Sequence, residues 1–359
     1  MGHLGVLVLA LGVLVAAAAA HLLFWGWFYR LRADSDALLT ARCADGWVLT
    51  VAHFKPRTPS PLPPVILCHG LAANRWNLSL PGEHSLAGYL RDQGHEVFCC
   101  DLRGVGDARR PPAGKHASDV DFDAHVEQDA PAVIDLALQT SGKPRALWVG
   151  HSMGGLVGLA AAQGPHAGRL AGVAALGSPT RWEYHRKILG RVVSLSVWLS
   201  LRGRVHQKWP LRLVAPWLGY FPIPMGDISL NPQNIDGALF RRVAYRVVDD
   251  VPRKLLAQFR SWFRRNAWDL GEGRVDLRRG LSTIRCPVLL VGGTLDVLAP
   301  PQAMHDALRD VGAADKTLLL FGKARGDQQD YGHGDLIFGR HAPREVFPQL
   351  LAWLTAHGT

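Results

Sequence analysis

The chain has 359 residues, 48% of them hydrophobic and 19% charged, with a formal net charge of +10 at pH 7. This composition excludes a disordered or fibrous chain and fits one large domain with an insertion, or two domains. Five cysteines occur without a C-x-x-C pair or a His/Cys spacing suited to zinc, so neither a disulfide framework nor a metal site is expected.

The first element is apolar. Leu4 to Tyr29 carries no charged side chain, and a helix of that run, at about 1.5 Å per residue, exceeds the roughly 30 Å hydrocarbon core of a bilayer. Trp25, Trp27 and Tyr29, followed by Arg30 and Arg32, resemble an interfacial belt. Residues 1–32 are therefore read as an N-terminal single-pass transmembrane anchor, with the arginines tilting the C-terminal bulk toward the cytoplasmic side. The competing reading is a cleaved signal with an A-x-A site within Ala16 to Ala20, giving a secreted or periplasmic protein. No Lys or Arg precedes the run and its apolar character continues past the alanines, which favours the anchor.

Beyond an Asp45-Gly46 turn, WVLTVAHF reads as a strand, and a proline-rich connector leads to the strand PPVILCHG. Next come the helix HSLAGYLRDQG, the strand HEVFCCDLRG, the helix VEQDAPAVIDLALQTSG, the strand ALWVG and the strand LAGVAALGSP. Far downstream, CPVLLVGGTLD and KTLLLFG are strands, and APREVFPQLLAWLTAHG is a closing helix. Cys68, Cys99, Cys100 and Cys286 fall in these predicted strands as buried thiols, Cys99 and Cys100 pointing to opposite faces. Alternating strands and helices predict an α/β chain with a mostly parallel sheet covered on both faces.

Between the two halves the pattern breaks. Residues 181–285 hold 20 basic and 8 acidic side chains, against 20 and 22 in the rest, so the whole positive excess lies there. The segment also holds Trp182, Trp198, Trp209, Trp217, Trp262 and Trp268. The division is then 33–180 as the first part of a core, 181–285 as a basic, Trp-rich insertion, and 286–359 as the second part. Two apolar stripes in the insertion, ILGRVVSLSVWLSL and KLLAQFRSWFRR, fit either packing onto the core or an anionic membrane surface. Packing is the better reading of each stripe alone, and membrane or anionic-ligand binding the better reading of the charge segregation. No nucleic-acid motif accompanies the charge.

The segment VGHSMGGLVG holds the chemistry. G-x-S-x-G between a strand and a helix is a nucleophile elbow, which exposes a serine on a strained turn. Ser152 then needs a base and an orienting acid, in the order Ser, acid, His. Asp296 follows the strand VLLVGG, and His333 sits in YGHGD after KTLLLFG. His341 is the one serious rival, and its place at a helix start makes it structural. For an oxyanion, the backbone N–H groups of Met153 and Leu71 are the candidate donors, with Ala72 the alternative to Leu71. His69, His151, Asp101 and Asp335 read as structural polar residues.

DGWVL, CHGLAANRW, the D-x-R-G turn at Asp101 to Gly104, GHSMGG and YGHGDLIFGRHAPREVFPQLL together resemble the acid-lipase-like branch (lysosomal and gastric lipases) of the α/β-hydrolases. The resemblance spans the chain from Asp45 onward, except for the insertion. It implies an α/β-hydrolase fold, a triad on Ser152, Asp296 and His333, lipidic carboxylic-ester substrates and a mainly helical cap formed by residues 181–285. No cofactor is called for. The expected function is a membrane-associated ester hydrolase working through an acyl-enzyme. Acyl transfer by the same triad is the alternative, and a silent lipid- or protein-binding fold is a second.

Overall fold

The computed structural model describes residues 2–184, 203–220 and 230–358. Eight apolar runs form one sheet: β1 (Ala37–Arg42), β2 (Val48–Phe54), β3 (Val65–Cys68), β4 (Val97–Asp101), β5 (Ala146–His151), β6 (Leu170–Leu176), β7 (Val288–Gly293) and β8 (Lys316–Phe321). Their order is β1-β2-β4-β3-β5-β6-β7-β8, with β1 and β2 antiparallel to their neighbours and the rest parallel. Every residue of β3, β4, β5 and β6 is buried, as a sheet covered on both faces requires. Cys100, Trp148 and Val173 serve one core, and Cys99, Val149 and Ala174 the other. The adjacent cysteines do split between faces, and all five cysteines are free thiols.

The longer helices are α1 (His3–Phe28), α2 (Leu86–Asp92), α3 (Ala130–Ser141), α4 (Met153–Ala161), α5 (Lys208–Val214), α6 (Gly237–Arg246), α7 (Arg253–Arg265), α8 (Pro301–Asp310) and α9 (Ala342–Ala356). Local signals set their ends. Ser85 Oγ accepts the Gly88 N–H at 3.0 Å to start α2, and Gly142 at φ 68° closes α3. Two expectations need correction. Strand β1 is absent from the elements expected, because ALLTAR does not alternate apolar and polar side chains; its burial does alternate, with Leu38, Thr40 and Arg42 exposed at the sheet edge. Cys286 lies two residues before β7, half-buried, and not in a strand.

The insertion between β6 and β7 is partly described. Helix α7 turns Leu255, Leu256, Phe259, Trp262 and Phe263 inward, with Phe122 and Trp182 against them. That stripe packs on the core, so it offers no apolar face to a membrane. The insertion's charge also stitches it to the acidic core: Lys254 meets Asp121 and Arg274 meets Glu127, each at 2.8 Å. The other stripe, 188–201 with Trp198, lies outside the described residues.

Helix α1 is the one described helix long and apolar enough to cross a membrane. Its last turns belong to the folded body. Tyr245 Oη donates to Leu22 O at 2.9 Å, and Arg246 Nε to Tyr29 O at 2.8 Å.

Candidate active site

Strand β5 ends at His151 and α4 begins at Met153, which leaves one residue to make the turn. Ser152 adopts φ 54°, ψ −118°, a backbone conformation that costs a non-glycine residue about 1–3 kcal/mol. Its surroundings over-determine that strain. Ser152 N–H donates to Leu176 O at 2.7 Å, and Ser152 O accepts from Ser178 Oγ at 2.8 Å. A Cβ on Gly150 would overlap the backbone of Gly154, and one on Gly154 the carbonyls of Cys68 and His69. Only glycine lets α4 start this close to the end of β3.

Asp296 follows β7, where Leu298 and Ala299 N–H donate to its Oδ1 at 2.8 and 2.7 Å. Those two bonds aim Oδ2 at His333, whose Nδ1 lies 2.9 Å away. Asp296 and His333 are both buried, and a Cβ on Gly177 would already crowd the imidazole at 3.1 Å. The structure thus brings Asp296 and His333 into contact, and Ser152 and His333 line the same cavity of about 490 Å³. Leu71 and Met153 line it too, and among the described residues neither backbone N–H has an acceptor. The remaining wall is largely apolar, with Leu156, Trp182, Leu211, Leu218, Phe240 and Val243 in it.

The residues read as structural sit where that reading needs them. His69 donates from Nδ1 to Gly70 O at 2.8 Å and accepts from Leu102 N–H at 3.1 Å; burial lowers its pKa. Asp101 accepts from Arg75 and Asp107 N–H at 2.7 and 3.0 Å and pairs with the Arg75 guanidinium. Asp335 accepts from Gly332 and Asn231 N–H, and burial raises its pKa to about 6. His341 caps α9 and does not line the cavity.

Sequence reasoning missed one linkage. His151 Nδ1 lies 3.1 Å from Asn77 Oδ1 and its Nε2 lies 3.1 Å from His333 O. Asn77 Oδ1 also accepts the Gly70 N–H at 3.3 Å. The imidazole therefore sits where the serine turn, the Gly70-Leu71 turn and the His333 loop meet, with an acceptor oxygen at each ring nitrogen. Burial, with the neighbouring His333, pushes its pKa down to about 3, so the ring is neutral and donates through one nitrogen. Asn77 and His333 lie far from His151 in sequence, so no local pattern reports the contact.

A serine on a strained strand-to-helix turn, loops from two later strands and a mostly parallel sheet define the α/β-hydrolases. The family described as serine aminopeptidase, S33, matches residues 59–325, and the chain belongs to it as a serine hydrolase of the esterase and lipase type. Human gastric triacylglycerol lipase is 32% identical over 330 residues, covering 82% of this chain and 80% of that protein. A tear acid lipase-like protein of Mesocricetus auratus is 34% identical over 128 residues, an alignment covering 33% of this chain and only 32% of that protein. Among solved structures, a soluble variant of monoglyceride lipase from Saccharomyces cerevisiae has a TM-score of 0.63 at 19% identity, covering 92% of this chain and 98% of that one. That likeness is one of fold. The resemblance to acid lipases is borne out.

Proposed function

We propose that this chain is a membrane-anchored hydrolase of lipid-like carboxylic esters. Ser152 attacks the acyl carbonyl while His333 Nε2 takes its proton; the alcohol leaves with that proton, and water then releases the acid by the same route in reverse. Asp296 holds the Nδ1–H tautomer and stabilises the imidazolium. The N–H groups of Leu71 and Met153 bind the oxyanion. The observation that carries the reading is the 2.9 Å His333–Asp296 contact, with His333 and the strained Ser152 lining one cavity. Its apolar wall supports an acyl chain as the occupant, and its volume is that of ordinary small-molecule sites. Residues 181–285 act as the cap, since Trp182, Leu211 and Phe240 form part of that wall.

Helix α1 acts as the anchor, at about 39 Å long for its 26 residues. The arginines after it support a cytoplasmic catalytic domain. Labelling with a fluorophosphonate tests the chemistry: wild type should react, and Ser152→Ala and His333→Ala should not. Equal labelling of either variant would sink the assignment. The intact mass of the purified protein tests the anchor, because loss of the first 20 residues would mark a cleaved signal.

A further inference from the structure

An anchor on a loose tether leaves a domain free to tumble, but α1 is not loosely tethered. Besides the bonds from Tyr245 and Arg246, His21 stacks on Trp217 with ring centroids 5.0 Å apart and planes within 7°. His21 Nε2 also lies 3.1 Å from Leu213 O. Tyr29, Ala215, Leu218, Ala244 and Tyr245 form a small core where the helix meets the body. The direction in which α1 leaves the body is therefore set by packing.

Beside α6, the elements that receive α1 are α5 and the short turn Ala215–Trp217, and these have three sides. One holds the anchor. A second is exposed and apolar: Trp209 at 54%, Val214 at 49%, Trp217 at 49% and Tyr220 at 68% of full exposure. Such a cluster is unusual on a water-facing surface. Arg212 lies over the Trp209 ring and Arg241 over Tyr220, at 5.3 and 4.8 Å. Aromatic rings with guanidinium partners suit the headgroup layer, where one end of each side chain is apolar and the other wet. The third side faces inward, where Gln207, Leu211 and Leu218 line the cavity above Ser152.

We infer that residues 208–220 are a second bilayer contact, lying in the headgroup layer beside α1, and that the ester reaches the cavity from that leaflet past this segment. The inference rests on the anchor and ester readings above. A bilayer is the occupant because Trp217, one of these exposed rings, stacks on His21 of α1, the one described helix long and apolar enough to span it. The stripe of α7, by contrast, is already buried.

The test uses the full chain in vesicles of neutral and anionic phospholipid. With a photoreactive benzoylphenylalanine in place of Trp209, illumination should attach lipid; the same probe in place of Val275, exposed on the ribbon it forms with Leu270, should not. The double variant Trp209→Glu/Val214→Glu should float with vesicles through α1. It should hydrolyse a bilayer-embedded lipid ester at least tenfold more slowly, and a short water-soluble ester within twofold of wild type. Flotation without lipid attachment at position 209, or attachment to a second copy of the chain, would overturn the inference and leave the anchor standing. An unchanged rate on the embedded ester would do the same. Lipid attachment in a protein that hydrolyses neither ester would refute the ester reading instead.

Discussion

Replacing Asp296 by Asn changes one atom, and the surrounding bonds dictate how the new group must sit. Oδ1 accepts two N–H groups, from Leu298 at 2.8 Å and Ala299 at 2.7 Å. An asparagine amide turned the other way would set its NH2 against two donors, so the carbonyl keeps that place and the NH2 faces His333 Nδ1. The imidazole must then accept at Nδ1 and carry its proton on Nε2, the atom that takes the serine's proton in the proposed mechanism. The fold is intact and the base is in the wrong tautomer. Loss of a triad acid in this way lowers turnover on the order of 10⁴-fold, about 5 kcal/mol of transition-state stabilisation. The assay is the initial rate on a chromogenic ester, with the fluorophosphonate labelling rate as an independent readout. A urea melt should stay within about 1 kcal/mol of wild type, because no buried group loses all its partners. Turnover within tenfold of wild type, in a protein that melts normally, would refute the reasoning and place the acid elsewhere.

Gly154→Ala should cost about 3 kcal/mol or more in urea unfolding and slow labelling of Ser152, because its Cβ meets main-chain carbonyls that cannot rotate away. A loss below about 1 kcal/mol would show that the helix start has slack. Asp335 has its pKa raised by burial from 3.8 to about 6, so the folded state prefers the protonated form. Stability from this group is fully present below pH 3.8 and is lost as pH rises through 6, by about 3 kcal/mol; Asp335→Asn should remove that slope between pH 4 and 7 in urea melts. An unchanged slope would point to other groups. Arg103 meets Asp129 and Asp45, each at 2.7 Å, so Arg103→Met should destabilise by about 3–5 kcal/mol, and Arg103→Met/Asp129→Leu by less than the sum of the two single variants. Additive losses in calorimetry would contradict a coupled buried pair.

Much of this protein was legible because its causes are local. A serine flanked by glycines between an apolar strand and a small-residue helix admits few conformations, so the turn at Ser152 could be read from ten residues. The order Ser152, Asp296, His333 followed from where loops fall after strands, and the parallel sheet from the alternation of strand and helix patterns. The length of α1 likewise follows from one uninterrupted apolar run. Other features depended on contacts between segments far apart in the chain. Strand β1 forms because β2 offers it an edge, not because ALLTAR alternates strongly. The apolar stripe of α7 would suit either a core or a membrane, and only its packing against Phe122 and Trp182 turns it inward. His151 looked like a structural neighbour of the nucleophile. It sits where three loops meet because Asn77 and His333 O arrive from 74 and 182 residues away. The seat of α1 on Trp217 and Tyr245 is of the same kind. Periodicity reports which face of an element is apolar, whereas the partner of that face is decided by which surfaces the completed sheet brings within reach.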